Sequence, residues 1–128
     1  MRRLLAVLFL AFATACASTQ GAMVERYLLF FEPEQEDVNA LSRGVVAQAA
    51  SDVQARAGSR LLVIGYASAD GDPVANMALS KRRAEAVAKL LVAAGAPVDR
   101  VSAVGKGEDL AAAEPTYGRR VVIERFAP

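Results

Sequence analysis

Apolar residues along this chain alternate between the spacing of a strand and the spacing of a helix. Residues 24–31 are rich in aromatic and branched side chains, which favours a strand that ends before Pro33. In residues 40–57 apolar side chains recur at helical spacing, which predicts a helix that ends at Gly58 and has an apolar stripe of Leu41, Val45, Val46, Ala49, Ala50 and Val53. Residues 61–66 form a continuous apolar run typical of a buried strand.

The second half of the chain repeats this alternation. Asp72 and Pro73 form a helix start, and the helix is expected to run to about Ala94, before Gly95. A strand, a turn, a loop and a last strand are expected at residues 101–104, 105–107, 109–118 and 119–126. The order β-α-β-α-β-β predicts an α/β fold, a two-layer sandwich in which both helices pack on one face of a mixed sheet.

The first 15 residues have the three parts of a secretory signal. Arg2 and Arg3 form a basic start, residues 4–12 are apolar, and small residues follow at 13–15. The apolar run is shorter than the about 20 residues that a membrane-spanning helix needs. We therefore expect an exported protein whose signal peptide is residues 1–15.

Cys16, the only cysteine of the chain, directly follows this segment. A single free thiol is unusual in an oxidising compartment. Residues 13–16 resemble the lipobox of bacterial lipoproteins, in which the cysteine becomes the lipidated first residue, although cleavage after Ala15 by ordinary signal peptidase fits equally well. By the same resemblance, Ala17 implies an outer-membrane destination on the periplasmic face. We expect residues 16–23 to be a lipidated start and tether, and residues 24–128 to be the domain.

Charge and composition exclude several classes of function. Without Arg2 and Arg3, 13 basic residues remain against 14 acidic ones, a net charge of −1, and no basic stripe is present. Nucleic acid is therefore not an expected partner. The chain has no histidine, which excludes a Ser-His-Asp or Cys-His nucleophile and a histidine-ligated metal site. We expect neither a cofactor nor a metal.

Arg83 interrupts the apolar stripe of the second predicted helix. At about 100° per residue, the stripe consists of Leu79, Ala86, Val87, Leu90 and Leu91. Arg83 lies near its middle, Asn76 shares its face, and Arg82 points to the flank. An arginine directed into a core is costly unless a carboxylate meets it, and its guanidinium can hold a carboxylate by two parallel hydrogen bonds. That carboxylate could come from a ligand or from the chain, where the candidates are Glu32, Glu34 and Asp70. Alternatively, the side chain could reach solvent past Leu79.

The loop before this helix has the features of a ligand site. Residues 65–71 run from the end of a buried strand to a helix start, where free backbone N–H groups can receive an anion. Gly65 and Gly71 permit close approach of the backbone or unusual dihedral angles. The segment from Gly65 to Ala84 is therefore the predicted functional segment.

Several motifs of this chain resemble the OmpA-like domain, the peptidoglycan-associating module of outer membrane protein A and related lipoproteins. The resemblance covers residues 27–126, and its motifs lie at residues 30–32, 65–71, 76, 79–84, 104–108 and 118–121. It implies that the position of Arg83 holds a carboxylate of diaminopimelate in the peptidoglycan stem peptide. The family's aspartate, which meets the ligand's ammonium group, corresponds here to Ser68. Gly118 stands where the family has asparagine.

Three functions follow from these observations. The first is an envelope protein that binds peptidoglycan without covalent linkage, in which Arg83 holds the carboxylate, Asn76 and the backbone near Gly71 position it, and Ser68 or Asp70 meets the amine. The second is the same fold with a degenerate site, acting as a structural or interaction domain with other envelope proteins. The third, a hydrolase with paired carboxylates, has no spacing that identifies an acid and a base. We therefore expect a binding protein and not an enzyme.

Overall fold

The structure is a computed structural model that describes residues 21–128; the predicted signal segment and Cys16 lie outside this range. The strands are β1 (Met23–Phe30), β2 (Arg60–Ala67), β3 (Val101–Glu108) and β4 (Arg120–Phe126). The helices are α1 (Ala40–Ala55), α2 (Pro73–Ala93) and a single-turn α3 (Pro115–Gly118). A 3-10 turn, Val98–Arg100, precedes β3. The predicted order of the strands and the two long helices is confirmed.

The four strands form one mixed sheet in the order β1-β4-β2-β3. β2 and β3 are parallel and joined by α2, whereas β4 runs antiparallel to both β1 and β2. The central strands β2 and β4 are the most buried because neighbours cover both of their edges and a helix layer covers one face. This arrangement confirms the predicted mixed sheet.

Both long helices pack on the same face of the sheet and enclose the core. From the helices the core takes Val46, Ala49, Ala50, Val53, Ala84, Val87 and Leu91, and from the strands it takes Leu29, Leu61, Val63, Val121 and Ile123. On each strand these residues alternate with side chains directed to the opposite face. The two-layer α/β sandwich is therefore confirmed.

The buried stripes of the helices differ in detail from those predicted. Leu41 is 83% exposed at the start of α1, while Ser42 is buried. In α2, Ser80 and Ala84 are fully buried, whereas Leu79 and Leu90 are only partly buried. The small residues lie inside because α2 packs directly on glycines of β2 and β3; a Cβ added to Gly65 would lie 1.9 Å from the Ser80 carbonyl oxygen.

Two predicted boundaries in the second half are wrong. Residues 105–107, predicted as a turn, continue β3 as far as Glu108, because Gly105 pairs with Gly65 and accepts the close approach of α2. The predicted loop at 109–118 contains the single-turn helix α3. Within residues 21–128, none of the helices combines the length and apolar character needed to cross a membrane.

Candidate functional site

The predicted site lies where β2 ends and α2 begins. Asp72 caps α2, since its carboxylate accepts hydrogen bonds from the N–H groups of Val74 and Ala75 at 3.3 and 3.1 Å. Gly71 adopts a φ of 89°, which a residue with a side chain rarely adopts, and space for a Cβ is open there. The glycine is therefore required by the turn that leads into α2.

Asn76 fastens this loop to its surroundings. Its side-chain amide nitrogen lies within hydrogen-bonding distance of the Ser68 carbonyl at 3.1 Å, the Asp70 carbonyl at 2.8 Å and the Glu108 carboxylate at 2.9 Å. The amide thus joins the 68–70 loop, α2 and the end of β3. Asn76 consequently has a positioning role in this structure, and the loop it holds carries two of the predicted ligand residues, Ser68 and Asp70.

Arg83 is fully buried, as the helical spacing predicts. Its Nε donates to the Gln35 carbonyl at 2.8 Å, its Nη1 to the Tyr66 carbonyl at 3.1 Å, and its Nη2 to the Glu32 carbonyl at 3.2 Å. The expected internal carboxylates are therefore not its partners: Glu32 contributes its main-chain oxygen, and neither Glu34 nor Asp70 contacts the guanidinium. Among the described residues Arg83 has no ion pair.

The surroundings of Arg83 leave its positive charge uncompensated. The guanidinium carbon lies 5.1 Å from the centre of the Phe31 ring, a cation–π contact. Burial, with a smaller contribution from nearby Arg119, lowers the pKa of Arg83 to about 10, so the side chain remains charged at neutral pH. Arg119 itself donates to the Phe31 carbonyl at 3.1 Å. The site is a buried cation held by three carbonyl dipoles and the face of one aromatic ring.

Residues 32–37 cover Arg83. This acidic segment is exposed along its whole length, and Glu34 has a positive φ of 55°. Glu36 forms a surface ion pair with Arg82 at 2.7 Å, which ties the segment to α2. Arg82 therefore points away from the core, as predicted, and the short segment is what separates Arg83 from solvent.

Ser68 and Gly118 are adjacent in space. A Cβ added to Gly118 would lie 2.8 Å from the Ser68 Cα, so a larger residue at 118 would require the loop to shift. Gly118 is buried, Ser68 is partly buried, and Asp70 is exposed. The absence of a side chain at Gly118 therefore permits the close approach of the loop backbone at Ser68.

The sequence reading missed three groups that build this site. Gln35 and Tyr66 contact Arg83 through their main-chain carbonyls, which every residue type has, so residue type does not indicate these contacts. Phe31 contacts Arg83 with its ring, and only its position in the first-strand motif pointed towards it. The 21–128 range holds no group of acidic or cysteine side chains arranged to bind a metal ion.

Comparison with known proteins identifies relatives along most of the domain. Residues 30–121 match the OmpA family. Outer membrane protein A of Yersinia pseudotuberculosis is 37% identical over 86 residues, which are 61% of this chain and 23% of that protein. Outer membrane protein P5 of Haemophilus influenzae is 35% identical over 74 residues, 55% of this chain and 21% of that protein. The chain therefore spans less than a quarter of the length of these relatives.

Solved structures share the fold at low sequence identity. The peptidoglycan-associated lipoprotein of Burkholderia pseudomallei superposes with a TM-score of 0.69 at 23% identity, covering 77% of this chain and 88% of that one. The OmpA-like domain of FopA1 from Francisella tularensis gives a TM-score of 0.72 at 21% identity, covering 88% of this chain and 84% of that one. With the match over residues 30–121, these findings show that the chain belongs to the OmpA family.

Proposed function

We propose that this protein binds peptidoglycan without covalent linkage, through a carboxylate of the stem-peptide diaminopimelate that pairs with Arg83. The observation that carries the proposal is a fully buried guanidinium with no ion pair among the described residues. A buried charge without a counter-charge is costly, and a ligand carboxylate would supply that counter-charge. The likeness to a peptidoglycan-associated lipoprotein supports the same ligand class.

Arg83 retains the donors that such a carboxylate requires. A guanidinium has five N–H groups, and three of them donate to Gln35, Tyr66 and Glu32. Nη1 and Nη2 each keep one further N–H, the pair that can hold the two oxygens of a carboxylate. When residues 32–37 move aside, the donors that now bond to the Glu32 and Gln35 carbonyls also become available to the ligand, while the hydrogen bond to Tyr66 can remain.

Access to Arg83 requires residues 32–37 to move. The segment is short and exposed, and the ion pair that ties it to α2 joins two side chains that are 54% and 47% exposed. Such surface pairs contribute about 0–1 kcal/mol. Opening also breaks the hydrogen bonds from Arg83 to the Glu32 and Gln35 carbonyls, and the charge-assisted hydrogen bonds to the ligand carboxylate would replace them.

The amine of the ligand would meet the loop held by Asn76. Ser68 can accept a hydrogen bond through its hydroxyl, and the exposed Asp70 can contribute a charge. Gly71 leaves open space beside them. Because the family's aspartate is replaced by Ser68, we expect the amine contact to be weaker here than the carboxylate contact. The proposed role is binding, with no catalytic step.

The ligand class is tested by comparing sacculi whose stem peptides carry diaminopimelate with sacculi that carry lysine at that position. Lysine lacks the second carboxylate, so we expect co-sedimentation of the full chain to be roughly tenfold weaker on lysine-type sacculi. Equal retention on both would contradict recognition of diaminopimelate.

A second candidate function is an envelope interaction domain whose peptidoglycan site is degenerate. Two observations favour it: the loop carries Ser68 in place of an aspartate, and Arg83 is closed off from solvent. Ser68→Asp separates the two functions. A large gain in sacculus binding would indicate that the natural site is degenerate, whereas unchanged binding would point to Asp70 as the partner of the amine.

The proposal includes the anchor predicted from the sequence. Residues 1–15 would be removed on export, Cys16 would carry lipid, and residues 16–23 would tether the domain to the periplasmic face of the outer membrane. Together with peptidoglycan binding, this would link the outer membrane to the cell wall.

A further inference from the structure

β3 lies at one edge of the sheet and leaves its outer side unpaired among the described residues. It bonds only to β2 along Val101–Glu108. On an edge strand, alternate backbone N–H and C=O groups point outwards and can pair with another strand. β3 contains no proline that would prevent such pairing.

The side of α2 next to this edge exposes apolar residues. A groove of about 480 Å³ between the two elements is lined by Pro73, Val74, Met77, Ala78, Lys81 and Gly105. Val74 is 77% exposed and Met77 is 48% exposed. Val92, 37% exposed, lies 18 residues after Val74, which is five helical turns, so the two valines project from the same side of α2.

We propose that this surface, the α2–β3 face, binds a second copy of the chain about a two-fold axis. If the α2 helices of two copies lie antiparallel and the two-fold axis passes at residue 83, Lys81 of one copy lies against Glu85 of the other. The same axis places Val74 against Val92 of the second copy. The two charges already form a loose pair at 3.8 Å within one helix and are well exposed. The face is therefore complementary to itself in both charge and apolar surface.

The packing of β3 on α2 determines where this axis would cross the strand. A Cβ on Gly105 would lie 2.6 Å from the Lys81 nitrogen, and one on Gly107 would lie 3.0 Å from the Met77 methyl group. Two residues of β3 therefore span the same length as four residues of α2, and the two elements run in opposite directions. By this register, residue 83 of α2 lies beside Val104 of β3. Antiparallel pairing of two β3 strands about this point would set Val104 opposite its own copy and Ser102 opposite Lys106.

The symmetric placement of these side chains on α2 favours a second copy over an unrelated partner strand. An unrelated strand could pair with the free edge of β3. It would not explain why the pair Lys81 and Glu85 and the pair Val74 and Val92 both have their midpoint at residue 83. The α2–β3 face also leaves Arg83 untouched, because Arg83 lies nine residues after Val74, two and a half helical turns, and so projects from the opposite side of α2. Self-association is therefore independent of the proposed peptidoglycan site.

Disulfide trapping tests the axis directly. In the full chain with Cys16→Ser, an introduced cysteine is the only thiol. Val104→Cys would bring two Cα atoms within the 4.4–6.8 Å that a disulfide spans, whereas Ser102→Cys would leave its copies about 13 Å apart. Leu28→Cys, on the other edge strand and 45% exposed, is the control for exposure. We expect at least tenfold faster cross-linking at 104 than at 102 or 28; equal rates would overturn the proposal.

Charge exchange tests the helix contact by sedimentation equilibrium. Lys81→Glu or Glu85→Lys alone would place like charges across the axis and weaken dimerisation roughly tenfold. The double variant would restore the opposite charges, and with them the dimer. A double variant as weak as the single ones, or a parent protein that stays monomeric near 1 mM, would overturn the proposal.

Discussion

At the scale of the residue, Arg83 is charged in the interior because three main-chain carbonyls replace the water that it loses. Carbonyl dipoles solvate a cation, but they do not neutralise it, which is why burial lowers its pKa while leaving it protonated. The neighbouring Arg82 has the same side chain and lies on the surface against Glu36. One position along the helix therefore separates a binding group from an ordinary surface charge.

Asp109 makes the stability of the protein depend on pH. Its carboxylate accepts from Arg120 at 2.5 Å, and this contact holds the pKa of Asp109 below its usual value. A lowered carboxyl pKa in the fold stabilises the protein above the unfolded pKa, about 3.9, and that stabilisation is lost as the pH falls through the lower folded value.

We therefore expect Asp109→Asn to cost about 1 kcal/mol of unfolding free energy at pH 7 and to flatten the pH dependence below about pH 4. Urea unfolding of both proteins between pH 7 and pH 2 measures this. All other carboxylates are the same in both proteins, so parallel curves of unfolding free energy against pH would contradict the role given to Asp109.

Helical spacing predicts from the sequence that Arg83 points inwards, since periodicity depends only on residue order. It cannot predict the partners, because the carbonyls of Glu32, Gln35 and Tyr66 are the same for any residue type. For this reason we predicted internal carboxylates as the partners of Arg83, whereas the structure shows main-chain carbonyls.

At the scale of the element, the contact between α2 and the sheet depends on glycine. Gly65→Ala would place a Cβ 1.9 Å from the Ser80 carbonyl oxygen, so α2 would have to move. We expect a loss of about 2–4 kcal/mol in unfolding free energy, as for an overpacked core. Thermal or urea unfolding measures it.

Gly44→Ala is the matched control, since Gly44 lies within α1 and has no atom within 4 Å of its added Cβ. Alanine there should stabilise the protein by about 0.5–1 kcal/mol. If the two variants had similar stability, the proposed packing of α2 would be wrong.

The same glycines explain which element boundaries the sequence misplaced. Gly105 and Gly107 look like turn residues, but Gly105 continues β3 because a helix packs directly against it. Strands and helices with strong apolar spacing were predicted within a few residues, because their burial pattern is local. A glycine chosen for packing against another element carries no local signal that distinguishes it from one in a turn.

At the scale of the whole molecule, the order of elements was sufficient to predict a two-layer sandwich, because crossover helices between strands restrict the topology. The position of β4 between β1 and β2 was not predictable from the order alone. Because β1 and β2 then run in the same direction, the segment after β1 and the end of β2 lie at the same edge of the sheet, where both contribute carbonyls to Arg83.

The anchor gives a further prediction at this scale. If Cys16 carries lipid, wild-type protein should fractionate with the outer membrane, and Cys16→Ser should move most of it out of the membrane fraction, since the lipid chains supply the membrane affinity. Immunoblotting of cell fractions measures the shift. A Cys16→Ser protein that remained in the membrane to the same extent would contradict lipidation.

The claim that Arg83 binds a peptidoglycan carboxylate is tested most directly by the affinity of the full chain for purified diaminopimelate-type sacculi. Arg83→Gln removes the charge, and its amide can still donate to a carbonyl; Arg82→Gln is the matched surface control. With folding verified by circular dichroism, we predict a loss of about a hundredfold for Arg83→Gln and less than about threefold for Arg82→Gln. Should Arg83→Gln not fold, Arg83→Lys keeps the charge and loses the two-donor geometry. A folded Arg83 variant that binds sacculi as tightly as the wild type would contradict the account.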